Sequence, residues 1–75
     1  MTAMLNADHL AGALTLELGM EVTWHPAKFS DNAIFECNGR LAIIGLQDLH
    51  KLATMTPSLR RALVKRMRTD LDPTS

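Results

Sequence analysis

With 75 residues the chain has room for one small domain with one core; a domain of this size buries only about 60% of the surface its unfolded chain exposes, so modest stability is expected. A hydrophobic fraction of 47% argues against a disordered chain, and a formal net charge of zero argues against a uniformly basic polyanion binder. The single cysteine, Cys37, excludes an internal disulfide; with no signal-like segment and no apolar run long enough for a bilayer, the expected location is cytoplasmic, with no membrane contact.

Residues 1–5 are expected to fray, with Leu5 available to staple the entry of a helix and Asn6 or Asp8 to cap it. Ala7, Leu10, Ala11, Leu14 and Leu18 then recur at three- and four-residue spacing, which predicts a helix over about residues 7–18 with one apolar stripe. Leu16 falls off that stripe, so it is either exposed or touched by a partner. Gly19 suits the left-handed position that closes a helix.

Met20-Glu21-Val22-Thr23-Trp24 alternates with period two, which predicts a strand with Met20, Val22 and Trp24 inward and Glu21 and Thr23 in water. Pro26 lacks an N–H and is expected to end that strand, leaving residues 25–32 as a loop. Asn38-Gly39 lies between two β-forming runs, the strongest short-range hairpin pattern, because both central residues of a type I′ turn need φ > 0. A two-residue turn sets the register: Cys37 opposite Arg40, Glu36 opposite Leu41, Phe35 opposite Ala42 and Ile34 opposite Ile43. One hairpin face therefore carries Phe35, Cys37, Ala42 and Ile44, and the other Ile34, Leu41 and Ile43 with Glu36 as its only charge. Both faces are apolar, so both need cover.

A short helix is expected over residues 46–54, with Leu46, Leu49, Leu52 and Ala53 on one face. Thr56 as N-cap and Pro57 at the first helical position start a last helix over about 57–70. Leu59, Leu63, Val64, Met67 and Leu71 share one side of it, and Arg61, Lys65 and Arg68 form a stripe on the other. Residues 72–75 read as a flexible polar tail. The period runs 3.6, 2, then 3.6 again. That predicts a single α+β domain over 1–75: an N-terminal helix, a small three-stranded antiparallel meander with an Asn-Gly hairpin, and two C-terminal helices. The expected core is Leu10, Leu14, Leu18, Val22, Trp24, Phe35, Leu49, Leu52, Leu63 and Met67.

Charge is unevenly spread: residues 1–36 carry a net −4 and residues 37–75 a net +4. His9, His25, His50 and Cys37 form no pair at zinc-ligand spacing, so no metal and no cofactor are expected. Cys37 reads as a small apolar residue, and Arg40 across the turn is the one neighbour that would activate its thiol. His25, Ser30 and Asp31 share one loop, but a hydrolase triad needs rigid support and an oxyanion hole, so no catalytic residue is assigned and an enzyme is not expected. The glycines are too scattered for a phosphate loop. A helix-turn-helix over 46–69 is disfavoured because Pro57 stands where the turn glycine belongs.

The order of elements, with Asn38-Gly39 followed by Arg40, is similar to that of small phage head–tail joining proteins. The strand at 20–24 and the split C-terminal helices depart from that pattern, and no family is assigned. The expected function is a small non-enzymatic interaction protein, a regulator or inhibitor of the phage or mobile-element type. Its expected partner is a protein, with a homodimer as a further form, bound through Ile34, Leu41 and Ile43 and steered by Arg61, Lys65 and Arg68. The alternative is a nucleic-acid binder contacting phosphates through Arg60, Arg61, Lys65, Arg66 and Arg68; no Asn, Gln or Ser interleaves with that stripe to read base edges.

Overall fold

The first helix, α1, runs from Thr2 to Leu18, in a computed structural model that describes residues 2–73. It starts earlier than the apolar period suggests, so residues 2–5 are helical rather than frayed. Neither expected cap acts as one. Asn6 is buried inside the helix and its Nδ2 donates to the carbonyl oxygen of Leu49 at 2.6 Å, while an Asp8 carboxylate oxygen accepts from Trp24 Nε1 at 2.7 Å. Both polar side chains serve tertiary contacts. Gly19 ends the helix at φ +69°, the left-handed conformation for which glycine is suited.

Three antiparallel strands follow: β1 (Thr23–Pro26), β2 (Asn32–Cys37) and β3 (Arg40–Gly45), in the order β1-β2-β3. Strand β1 begins later than the alternation predicts and continues through Pro26, which pairs with Ala33. Pro26 is tolerated because β1 is an edge strand. The Ala27 N–H bonds to the Asn32 carbonyl at 2.9 Å, and ladder alternation then turns the Pro26 nitrogen away from β2. Met20 and Val22 precede the strand but keep their inward orientation, Val22 being buried and Met20 half-buried. The β2–β3 register is the one the two-residue turn dictates, with Asn38 at φ 51° and Gly39 at φ 81°.

Beyond β3 the expected single helix divides into α2 (Leu46–His50) and one 3-10 turn (Leu52–Thr54). Helix α3 spans Pro57–Leu71, and the Thr56 hydroxyl accepts from the Leu59 N–H at 3.3 Å. The helix ends one residue beyond the expected bound, with Asp72 and Pro73 of the polar tail outside it; Met1, Thr74 and Ser75 lie outside the described residues.

The helices cover one face of the sheet. Ala33, Phe35, Cys37, Ala42 and Ile44 are buried beneath Ala7, Leu10, Ala11 and Leu14 of α1, Leu49 of α2, and Met67 and Leu71 of α3. Ala33 and Ala42 are small, which lets helices seat closely on either side of Phe35, and the Phe35 ring stacks on Trp24 at 6.4 Å between centroids. Leu18, Trp24, Leu52 and Leu63 pack on the rim of this core and are only partly buried. Leu59, expected on the inner side of α3, is 59% exposed. It lies in the first turn of α3, the end farthest from Met67 and Leu71. The molecule measures 31 × 30 × 16 Å, and its thickness is that of one sheet and one helical layer.

Candidate functional site

Two surfaces stand out, one on each broad side of this slab. The sheet face turned from the helices is built of two rungs that cross all three strands. His25, Ile34 and Ile43 form one, and Thr23, Glu36 and Leu41 the other. Leu41 is 50% and Ile43 54% exposed, and Ile34 is half-buried between Ile43 and His25. In the adjoining β1–β2 loop, Phe29 is 98% exposed. No described helix folds over this side, and Leu41 and Ile43 on the hairpin's second apolar face are exposed. Exposed apolar side chains gathered on one face in this way often mark an interaction surface.

The second surface is a groove of about 690 Å³ between α1 and α3. Ala13, Leu16 and Glu17 form one wall, and these side chains are exposed because the opposite flank of α1 is the one pressed on the sheet. Pro57 and Val64 supply the apolar part of the other wall, and Arg60, Arg61, Lys65 and Arg68 its charge. Arg68 reaches across to Glu17 at 3.7 Å, an exposed ion pair that contributes little to stability. Among the described residues, no ion pair is found for Arg60, Arg61 or Lys65. A smaller recess of about 270 Å³ continues the groove past Val64 and Arg60 to Leu52, His9 and Asn6.

These positions divide the sequence-predicted site. Ile34, Leu41 and Ile43 belong to the sheet face, whereas Arg61, Lys65 and Arg68 line the groove in the helical layer, so the structure does not unite them in one surface. Arg60 joins the groove. Arg66 is exposed but lies outside it. Sequence reasoning missed the α1 wall, for which the off-stripe Leu16 was the available sign.

The remaining candidates are dispersed. Cys37 is 1% exposed on the inner sheet face, and Arg40 points its Nε at the Asp70 carbonyl oxygen at 3.4 Å. Ser30 Oγ accepts from Asn32 Nδ2 at 3.2 Å, a turn bond leading into β2. His9, His25 and His50 sit on three different elements, and no group of three or more metal-ligating side chains occurs among the described residues. No described helix is long and apolar enough to cross a membrane. No protein-family model, curated protein or solved structure matches the chain.

Proposed function

We propose that this chain is a small non-enzymatic interaction protein, a regulator or inhibitor that acts by binding a protein through the bare face of its sheet. The observation that carries this reading is the exposure of Leu41 and Ile43 on a face that no helix covers. Burying such side chains against a partner's apolar surface is worth about 1.5–3 kcal/mol each when complete, and their half exposure leaves roughly half of that to be gained. The partner is a protein that lays an apolar patch on Ile34, Leu41 and Ile43, a second copy included.

The decisive comparison is wild type against Leu41→Asp, by light scattering across a concentration series and by quantitative co-purification from the host cell. The variant keeps the wild-type melting curve but loses the self-associated form or the co-purifying protein. Identical association by both proteins would overturn the reading, and unfolding of the variant would place Leu41 in the core.

A second reading, nucleic-acid binding, is favoured by one observation, the three groove cations without a described ion-pair partner. Replacing Arg60, Arg61 and Lys65 together should then abolish retention of duplex DNA or RNA at low salt. Unchanged retention would sink it.

A further inference from the structure

The groove between α1 and α3 is a different surface from the sheet face, and its chemistry selects a partner of its own. We infer that it takes an acidic amphipathic segment of a partner protein. The segment's apolar residues rest on Leu16 and Val64, and its carboxylates meet Arg60, Arg61 and Lys65.

Four observations converge on that class. First, Leu16 stands in the second half of α1 with 86% of its surface exposed, although every other leucine of that helix from Leu10 onward turns at least partly inward. Second, Val64 and Pro57 face it from α3, so the groove has an apolar floor running along the helices. Third, four cations border that floor against one carboxylate, Glu17, which is already engaged by Arg68. A segment bearing several acids answers this excess; a neutral one leaves it uncompensated. Fourth, the groove adjoins the recess beside Leu10 and Leu52, since Ala13, Arg60 and Val64 line both. The result is an elongated trough flanked by two helices, the geometry in which an amphipathic helix is received through anchors at i, i+3 or i+4, and i+7.

The same features speak against a nucleic acid as occupant. Among the described residues no Phe, Tyr or Trp lines the trough to stack on a base, its one imidazole, His9, lies in the smaller recess, and the larger part offers no Asn, Gln, Ser or Thr to read a base edge. A phosphate backbone would satisfy the cations while leaving Leu16 and Val64 in water and approaching the Glu17 carboxylate. An acidic helix covers the floor and neutralises the rim together.

The test titrates isotope-labelled full-length protein with three probes while following backbone amide resonances. One is a synthetic helical peptide with leucines along one face and glutamates flanking them. The second is a peptide of the same composition in scrambled order, and the third a mixed-sequence DNA duplex. The expected result is saturable binding of the patterned peptide, with shifts confined to the facing sides of α1 and α3 and to the turn at Leu52 and Ala53. Leu16→Asp should weaken it at least about tenfold, as loss of one buried leucine predicts. The double reversal Arg61→Glu with Lys65→Glu should weaken it further, most strongly at low salt. Leu41→Asp should leave it unchanged, so this result is independent of the sheet-face reading. Leu16 is exposed, so its variant keeps the wild-type circular dichroism and melting curve.

Three outcomes would overturn the inference. Equal binding of the scrambled peptide would show attraction by charge alone, and displacement of the patterned peptide by duplex DNA would make the groove a phosphate surface. Shifts absent from α1 and α3, or centred on Ile34, Leu41 and Ile43, would remove the groove from consideration.

Discussion

The side-chain amide of Asn6 donates to the carbonyl oxygen of Leu49 at 2.6 Å, joining the start of α1 to the end of α2 across 43 positions of sequence. Helix α2 is only five residues long, so its last carbonyls lack the intrahelical partners of a longer helix. Asn6 adds a side-chain donor to the Leu49 carbonyl, which otherwise has the adjacent Lys51 N–H, and the burial of Asn6 makes the bond hard to replace with water. Asn6→Ala should therefore lower the unfolding free energy by about 1–3 kcal/mol, the usual consequence of removing one partner of a buried hydrogen bond. Urea denaturation followed by circular dichroism measures this directly. A loss too small to resolve would mean that water reaches the Leu49 carbonyl.

The Asn38-Gly39 turn offers a cleaner conformational test. Gly39 sits at φ 81° with open space where a Cβ would point, so Gly39→Ala meets no steric obstacle beyond its own backbone. The expected cost is that of an L-residue in the left-handed region, about 1–2 kcal/mol. Gly12, also in open space but helical with no positive φ, is the matching control: Gly12→Ala should stabilise by about 0.5–1 kcal/mol. Opposite signs in the two denaturation curves are the outcome to look for.

Cys37 is the only thiol and is 1% exposed beneath the helical layer. Alkylation by iodoacetamide should be slow in the native protein and should accelerate with denaturant in step with unfolding. Rapid labelling without denaturant would show that the hairpin separates from α3 in the native state.

Two apolar residues of α3 should respond differently. Met67 is fully buried and Met67→Ala should cost about 2–5 kcal/mol. For a chain whose whole stability is on the order of 4–11 kcal/mol, that is a large part of the total. Leu59, on the same sequence stripe but 59% exposed, should tolerate Leu59→Glu within about 0.5 kcal/mol. Thermal melts of the two variants decide whether the stripe or the packing governs the helix.

Much of this fold is legible locally. The hairpin register, the φ > 0 turn, the Gly19 stop and the Thr56-Pro57 start each depend on a few neighbouring residues whose conformational preferences are strong. Less legible are the features set by distant contacts. Asn6 and Asp8 look like helix caps because local chemistry suits them to that role, yet Leu49 and Trp24 claim them. Pro26 looks like a strand terminator until β1 is known to be an edge. Of the candidate surfaces, the basic stripe could be read from spacing in α3, but its apolar counterpart Leu16 lies some forty-five residues upstream, where only packing brings it opposite Val64.

The sequence by itself determined which side chains share each face of the hairpin, because a two-residue turn and a period of two leave no freedom in that choice. Only the tertiary structure decided which face the helices cover. Both are apolar, and their hydrophobicity alone does not separate them. The face with Ala33 and Ala42 beside Phe35 has the relief that lets α1, α2 and α3 seat closely, while the face with Ile34, Leu41 and Ile43 remains in solvent. That choice also turned the cationic flank of α3 towards Leu16, so one packing decision produced both of the proposed docking faces.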